Sequence, residues 1–107
     1  MRMATKFSMA LGVALLASGA WCYAENSGAA VYKSKCLTCH GASGMADGNV
    51  GKVMHVKPIS DPEVKKMSLQ GMIEATRTGM GKMQGYKGIL TDSEIRESVE
   101  YFRSFLK

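Results

Sequence analysis

With 107 residues the chain has room for one domain. Its formal charge is +5 and its isoelectric point about 9.2, yet no run of basic residues is interleaved with aromatics, which argues against a nucleic-acid binder. No β-strand run, internal repeat or low-complexity tract is present, so the expected fold class is all-α.

The first six residues are short and basic, with Arg2 and Lys6, and an uncharged apolar run follows from Phe7 to Trp21. This is the layout of a signal peptide, and the run is short for a membrane-spanning helix. Two sites fit the small-x-small cleavage rule, after Ala24 and after Ala20, and Ala24 is preferred because polar residues follow at once. Trp21 directly before Cys22 argues against lipoprotein processing, and an uncleaved anchor is the alternative. Residues 1–24 are therefore expected to be a leader and 25–107 the domain, exported to the periplasm, with no stable membrane insertion after cleavage. The mature chain would hold 83 residues and a charge of +3. So small a polypeptide buries only about 60% of its unfolded surface and often needs a staple.

After a polar tail at Glu25–Ser27, residues 28–39 are expected to be helical, with Ala29, Tyr32 and Cys36 on one face. This helix delivers Cys36-Leu37-Thr38-Cys39-His40, a C-x-x-C-H motif. In an exported chain that spacing points to c-type haem attachment. Two thiols reach the two vinyl groups along one porphyrin edge, and the next residue carries an imidazole to the iron. Cys36 and Cys39 are the expected thioether positions and His40 the expected iron ligand. A disulfide, a thioredoxin-type pair or half of a zinc site are the other readings. Zinc needs further ligands, which Cys22 and His55 are poorly placed to supply, and a thioredoxin-type pair follows a strand in a βαβ pattern not seen here. A covalent haem would be both the staple and the centre of the core, and its propionates would bring the net charge to about +1.

Residues 40–51 are glycine-rich and expected to be loop, and Val53, Met54, Val56 and Ile59 to form an irregular apolar stretch lining the pocket, with Pro58 opposing a helix. Ser60-Asp61-Pro62-Glu63 starts a short helix to about Lys66. Ser68 caps the next, which runs to Thr78 with Gly79 as terminator and with Leu69, Met72, Ile73 and Thr76 inward. A second glycine-rich loop, residues 79–88, holds Met80 and Met83. Thr91-Asp92-Ser93-Glu94 is a capping box, Leu90 and Ile95 form its hydrophobic staple, and Ile95, Val99, Phe102 and Leu106 make one apolar stripe on the last helix.

Over residues 28–107 the chain resembles the small class I bacterial cytochromes c, the soluble single-haem kind. The resemblance rests on the attachment motif, on Gly79-Met80-Gly81-Lys82-Met83 and on Val99-Glu100-Tyr101-Phe102-Arg103. It implies a cytochrome c-like fold: N- and C-terminal helices crossing at Gly28, Tyr32 and Tyr101, with two or three shorter helices and loops around one covalent haem c. It also implies that Met83 is the second axial ligand, in the place of the family's Gly-Lys-Met-Pro methionine. Met80 and His55 are the competitors. Gln84 stands where the family usually has proline. Asn49 stands where a proline carbonyl usually accepts the N–H of the iron-bound histidine.

A thioether opposite an imidazole raises the potential relative to two imidazoles. With both axial positions filled the protein would be an electron carrier, not an enzyme, exchanging electrons with redox partner proteins at the haem edge near the cysteines. Lys35, Lys52, Lys82 and Lys87 are candidates to steer acidic partners there. A monomer is expected. The alternatives are a haem enzyme or gas-binding sensor with an open sixth position, or the haem subunit of a larger oxidoreductase.

Overall fold

The computed structural model describes Gly12 and residues 23–106. Helix α1 (Tyr23–Val31) continues through a π-turn (Tyr32–Cys36) into α2 (Leu37–His40), followed by α3 (Asn49–Val53), α4 (Pro62–Lys65), α5 (Leu69–Thr78) and α6 (Asp92–Arg103). Among the described residues the only β pairing is two isolated bridges, Met80 with Met83 and Lys87 with Leu90. The all-α expectation holds. Most of the leader expected over residues 1–24, including Ala20, Trp21 and Cys22, lies outside the described residues.

The capped helices form where side-chain chemistry asks for them. Asp61 accepts the Glu63 amide at 2.8 Å ahead of Pro62, and Ser68 accepts the Gly71 amide at 3.0 Å. Thr91 and Glu94 close the capping box reciprocally, at 3.1 and 2.9 Å. Each bond satisfies an amide that the first helical turn leaves without a partner.

Three expectations need correction. Glu25–Ser27 belong to α1 instead of forming a tail. Residues 49–53 form α3, so the last three residues of the expected loop and the start of the irregular stretch are helical. A Cβ on Gly51 would lie 2.6 Å from the Cys39 carbonyl oxygen and 2.8 Å from that of Ala46, so this turn is wound by its seat against the attachment motif. Last, the motif helix is not uniformly α: the Leu37 amide bonds the Tyr32 carbonyl, one residue further back than an α-helix would.

The core is Ile59, Met72, Ile73, Tyr86, Ile95 and Val99, with Met83, Leu90, Phe102 and Leu106 among the half-buried residues packed on it. It is built where α5 and α6 meet, and α1 lies along the other side of α6. Ile95 is fully buried, worth about 1.5–3 kcal/mol of apolar transfer. Thr76 is buried in the inward face of α5, and its hydroxyl donates to the Met72 carbonyl at 2.8 Å. Leu106 lies beyond the end of α6 yet still joins the core.

The crossing of α1 and α6 is as expected. A Cβ on Gly28 would sit 2.4 Å from the Glu97 carbonyl oxygen, so only glycine fits there. Ser27 donates a hydrogen bond to the Glu97 carboxylate beside it. Tyr32 is 1% exposed, and its ring centroid lies 5.3 Å from Tyr101, 6.1 Å from Phe102 and 5.6 Å from Phe105. Among the described residues no helix is long and apolar enough to cross a membrane.

Candidate haem site

Cys36 ends the π-turn and Cys39 lies in α2, one helical turn apart, both half-buried and both free thiols. Burial, reinforced by the neighbouring Cys39, pushes the Cys36 thiol up to about 11. It therefore stays protonated at neutral pH, unlike the low-pKa thiolate of a thioredoxin-type redox pair. Among the described residues no three His, Cys, Asp or Glu side chains gather as metal ligands, so the four-ligand set of a structural zinc site is not assembled around this pair.

His40 closes α2. Burial holds its imidazole below the usual histidine range, which favours the neutral form that binds a metal. Its ring leans on Phe102, centroids 5.0 Å apart and planes at 58°. Phe102 in turn packs on Tyr32, whose hydroxyl donates to the Gly41 carbonyl at 2.5 Å, one residue past His40. Burial is the main reason that the Tyr32 hydroxyl is held far above its ordinary pKa, so it is a fixed donor. His40 Nδ1 is enclosed without a hydrogen-bond partner. The carbonyl bond expected at Asn49 is therefore not made, and packing against Phe102 sets the ring's orientation. With Nδ1 enclosed by protein, Nε2 is the nitrogen that would face a haem iron.

Met83 lies in the loop between α5 and α6, half-buried against the same core that Phe102 touches. Its amide donates to the Met80 carbonyl at 2.9 Å and its carbonyl accepts the Met80 amide at 3.0 Å, closing a turn around Gly81 and Lys82. Gly79, at φ +92°, turns the chain into this loop, and a Cβ there would meet the Met83 carbonyl oxygen at 2.9 Å. Of the competitors, Met80 is 58% exposed and points away from the core, and His55 is exposed at φ +56° beyond α3.

Val53 and Met54, expected to line the pocket, do so together with Val50. Val50, Val53 and Met54 on and beside α3 are 41%, 73% and 37% exposed. With Asn49 they line an apolar cleft of about 230 Å³. They sit next to the motif because Gly51 is seated on the Cys39 carbonyl. Val50 carries no signal of this in sequence, because it falls in the glycine-rich stretch 40–51. Two free thiols one helical turn apart, a neutral imidazole whose enclosed nitrogen has no partner, and apolar side chains beside them together fit a haem.

Comparison with known proteins agrees with this geometry. No match was found among curated proteins. Among solved structures, the KustC0563 c-type cytochrome is similar, with 30% identity and a TM-score of 0.67, covering 75% of this chain and 98% of that one. Residues 24–102 match the family described as cytochrome c oxidase, cbb3-type, subunit III. The chain thus belongs to that family of small c-type cytochromes, and its cofactor is a single covalently attached haem c.

Proposed function

We infer that the chain is a periplasmic electron carrier in which Cys36 and Cys39 hold the haem and His40 and Met83 hold its iron from opposite faces. Haem-based electron transfer is the family's activity. The observation that carries the finer reading is the pairing of environments: a neutral imidazole packed on Phe102, and a half-buried thioether in a hydrogen-bonded turn resting on the core that Phe102 also joins. Bound haem supplies a single-electron couple. The protein's own contribution is to keep both donors in place, so that little rearrangement accompanies the change of charge.

Lys35, Lys52, Lys82 and Lys87 are all exposed, and among the described residues none of them makes an ion pair. They are available to steer an acidic redox partner, which would raise association rates at low salt. The family's description as an oxidase subunit favours one second reading, that this chain works docked to a larger oxidoreductase. Sedimentation of the native, gently solubilised protein separates a free monomer from such an assembly.

The deciding experiment is an optical spectrum of both oxidation states, with and without carbon monoxide. Ferric haem with a methionine ligand shows a weak far-red charge-transfer band, and the reduced protein should then resist carbon monoxide. Absence of the band with ready carbon monoxide binding would mean an open iron and turn the reading toward a haem enzyme or gas sensor.

A further inference from the structure

The attachment helix and the Met83 loop are joined by one side chain, Tyr86. Its ring is buried in the core and 8% exposed, and its hydroxyl donates to the Lys35 carbonyl at 3.1 Å, across 51 positions of sequence. Lys35 immediately precedes Cys36, inside the π-turn. Hydrogen-bond accounting explains why its carbonyl can be reached. The Tyr32 carbonyl takes the Leu37 amide and the Leu37 carbonyl takes the Gly41 amide. Between those two bonds lie the carbonyls of residues 33–36 but only the amides of residues 38–40. One carbonyl must therefore find its donor outside the helix ladder, and the Tyr86 hydroxyl supplies one to Lys35.

We propose that Tyr86 is a positioning residue for the sixth ligand: its hydroxyl latches the Met83 loop onto the carbonyl that the π-turn releases, one residue before the first thioether. This rests on the reading of Met83 as an iron ligand. The loop has few other ties. Met83 is held locally by Met80, and the Tyr86 and Lys87 amides bond the Thr76 and Arg77 carbonyls at 2.9 and 3.0 Å, all within the α5 side of the molecule. The Tyr86 hydroxyl is the tie that crosses to the helix carrying the haem. With Gln84 in place of the family's proline, the chain after Met83 lacks a rigid residue, and the latch two residues further on supplies the missing constraint.

The test is imidazole titration of the ferric holoprotein, following the far-red band. Imidazole binds only when Met83 has swung away, so its apparent affinity reports the open fraction. Tyr86→Phe keeps the ring and its packing and removes only the donor. A lost neutral hydrogen bond should raise the open fraction about fivefold, and imidazole should bind about fivefold more tightly. Asp61→Ala, which removes a helix cap on the separate α4, is the control for general destabilisation and should bind imidazole as the wild type does. The proposal is overturned if Tyr86→Phe matches the wild type, or if Asp61→Ala tightens imidazole binding as much as Tyr86→Phe. A wild-type protein without the band would overturn the Met83 reading first, before any variant is compared, and the latch with it.

Discussion

The two sides of the haem site are held by different physics. On the His40 side the contacts are rings: Tyr32, Tyr101, Phe102 and Phe105 interlock with centroids 5.2–6.5 Å apart, and the histidine has only packing to orient it. On the Met83 side the thioether rests half-buried on the core, but the loop that carries it is closed by backbone hydrogen bonds around glycines, with one tyrosine hydroxyl reaching across. Packed aromatics resist displacement collectively, each pair adding about 0.5–1.5 kcal/mol beyond the area that it buries. Hydrogen bonds of about 1 kcal/mol each can open one at a time. The imidazole side should therefore fail only when the fold fails, whereas the methionine side should open within a folded protein.

The largest test removes what both sides share. Replacing Cys36 and Cys39 with serine should free the haem to acid-acetone extraction and leave a chain with little helix by circular dichroism. A haem-free double variant that still melts cooperatively would show that the protein core suffices without its staple. Next in size is the aromatic side. At Gly28→Val the new side chain meets the Glu97 backbone carbonyl at 2.4 Å, which cannot rotate out of the way. Overpacking of this kind costs about 3 kcal/mol, so the thermal midpoint of the holoprotein should fall by about 10–20 °C. The far-red band of the protein that remains folded should keep its full strength. An unchanged midpoint would mean that the helices do not cross at this glycine.

Met83→Ala inverts that pattern: the band disappears, the reduction potential falls and carbon monoxide gains access, while the helices stay formed. Met80→Ala and His55→Ala should leave the band intact, since both side chains are exposed away from the core. Loss of the band in either of those would reassign the ligand.

How far the sequence spoke follows the same division. The helices α4, α5 and α6 were legible because their starts are local chemistry: Asp61 before Pro62, Ser68 before Leu69, Thr91 with Glu94. Gly28, Tyr32 and Tyr101 were legible only through family resemblance, since a helix crossing leaves no periodic signature. The π-turn and α3 were not legible at all. Residues 32–36 carry nothing that marks an i→i+5 turn, and Gly48 through Val53 read as loop until the Gly51 contact with Cys39 is known. The His40 N–H partner expected at Asn49 failed for a related reason, because α3 takes up that backbone.

Acid should act on the imidazole side. Burial keeps the His40 pKa below its ordinary 6.5 in the folded chain, so the unfolded chain binds more protons as pH falls through that value. The stability that depends on neutral His40 is complete above about 6.5 and is lost progressively below it, toward the folded value. Iron ligation works in the same direction, since only the unprotonated ring binds metal. The denaturant midpoint should accordingly be lower at pH 5 than at pH 7, and equal midpoints would mean that His40 stays neutral in both states.

The smallest expected effect bears directly on whether the two sides are separable. Thr91 begins α6, the helix that carries the aromatic side, yet it lies only eight residues after Met83 in the chain. Thr91→Ala removes the acceptor for the Glu94 amide and leaves the Glu94 carboxylate holding only the Thr91 amide. Loss of such a cap costs about 1 kcal/mol, or about 4–8 °C in the melting midpoint of a domain this size. The remaining carboxylates at Asp92 and Glu94 still favour the positive end of the helix, so the helix should fray by a turn and not dissolve. The ties of the methionine loop, Met83 to Met80 and Tyr86 to Thr76 and Lys35, all precede Thr91. The far-red band and the imidazole affinity should therefore equal those of the wild type while the midpoint drops. If the band weakened in step with the melting point, the loop and α6 would behave as one cooperative unit. The methionine would then be held by the same packing as the histidine, with no independent hydrogen-bonded side left to open.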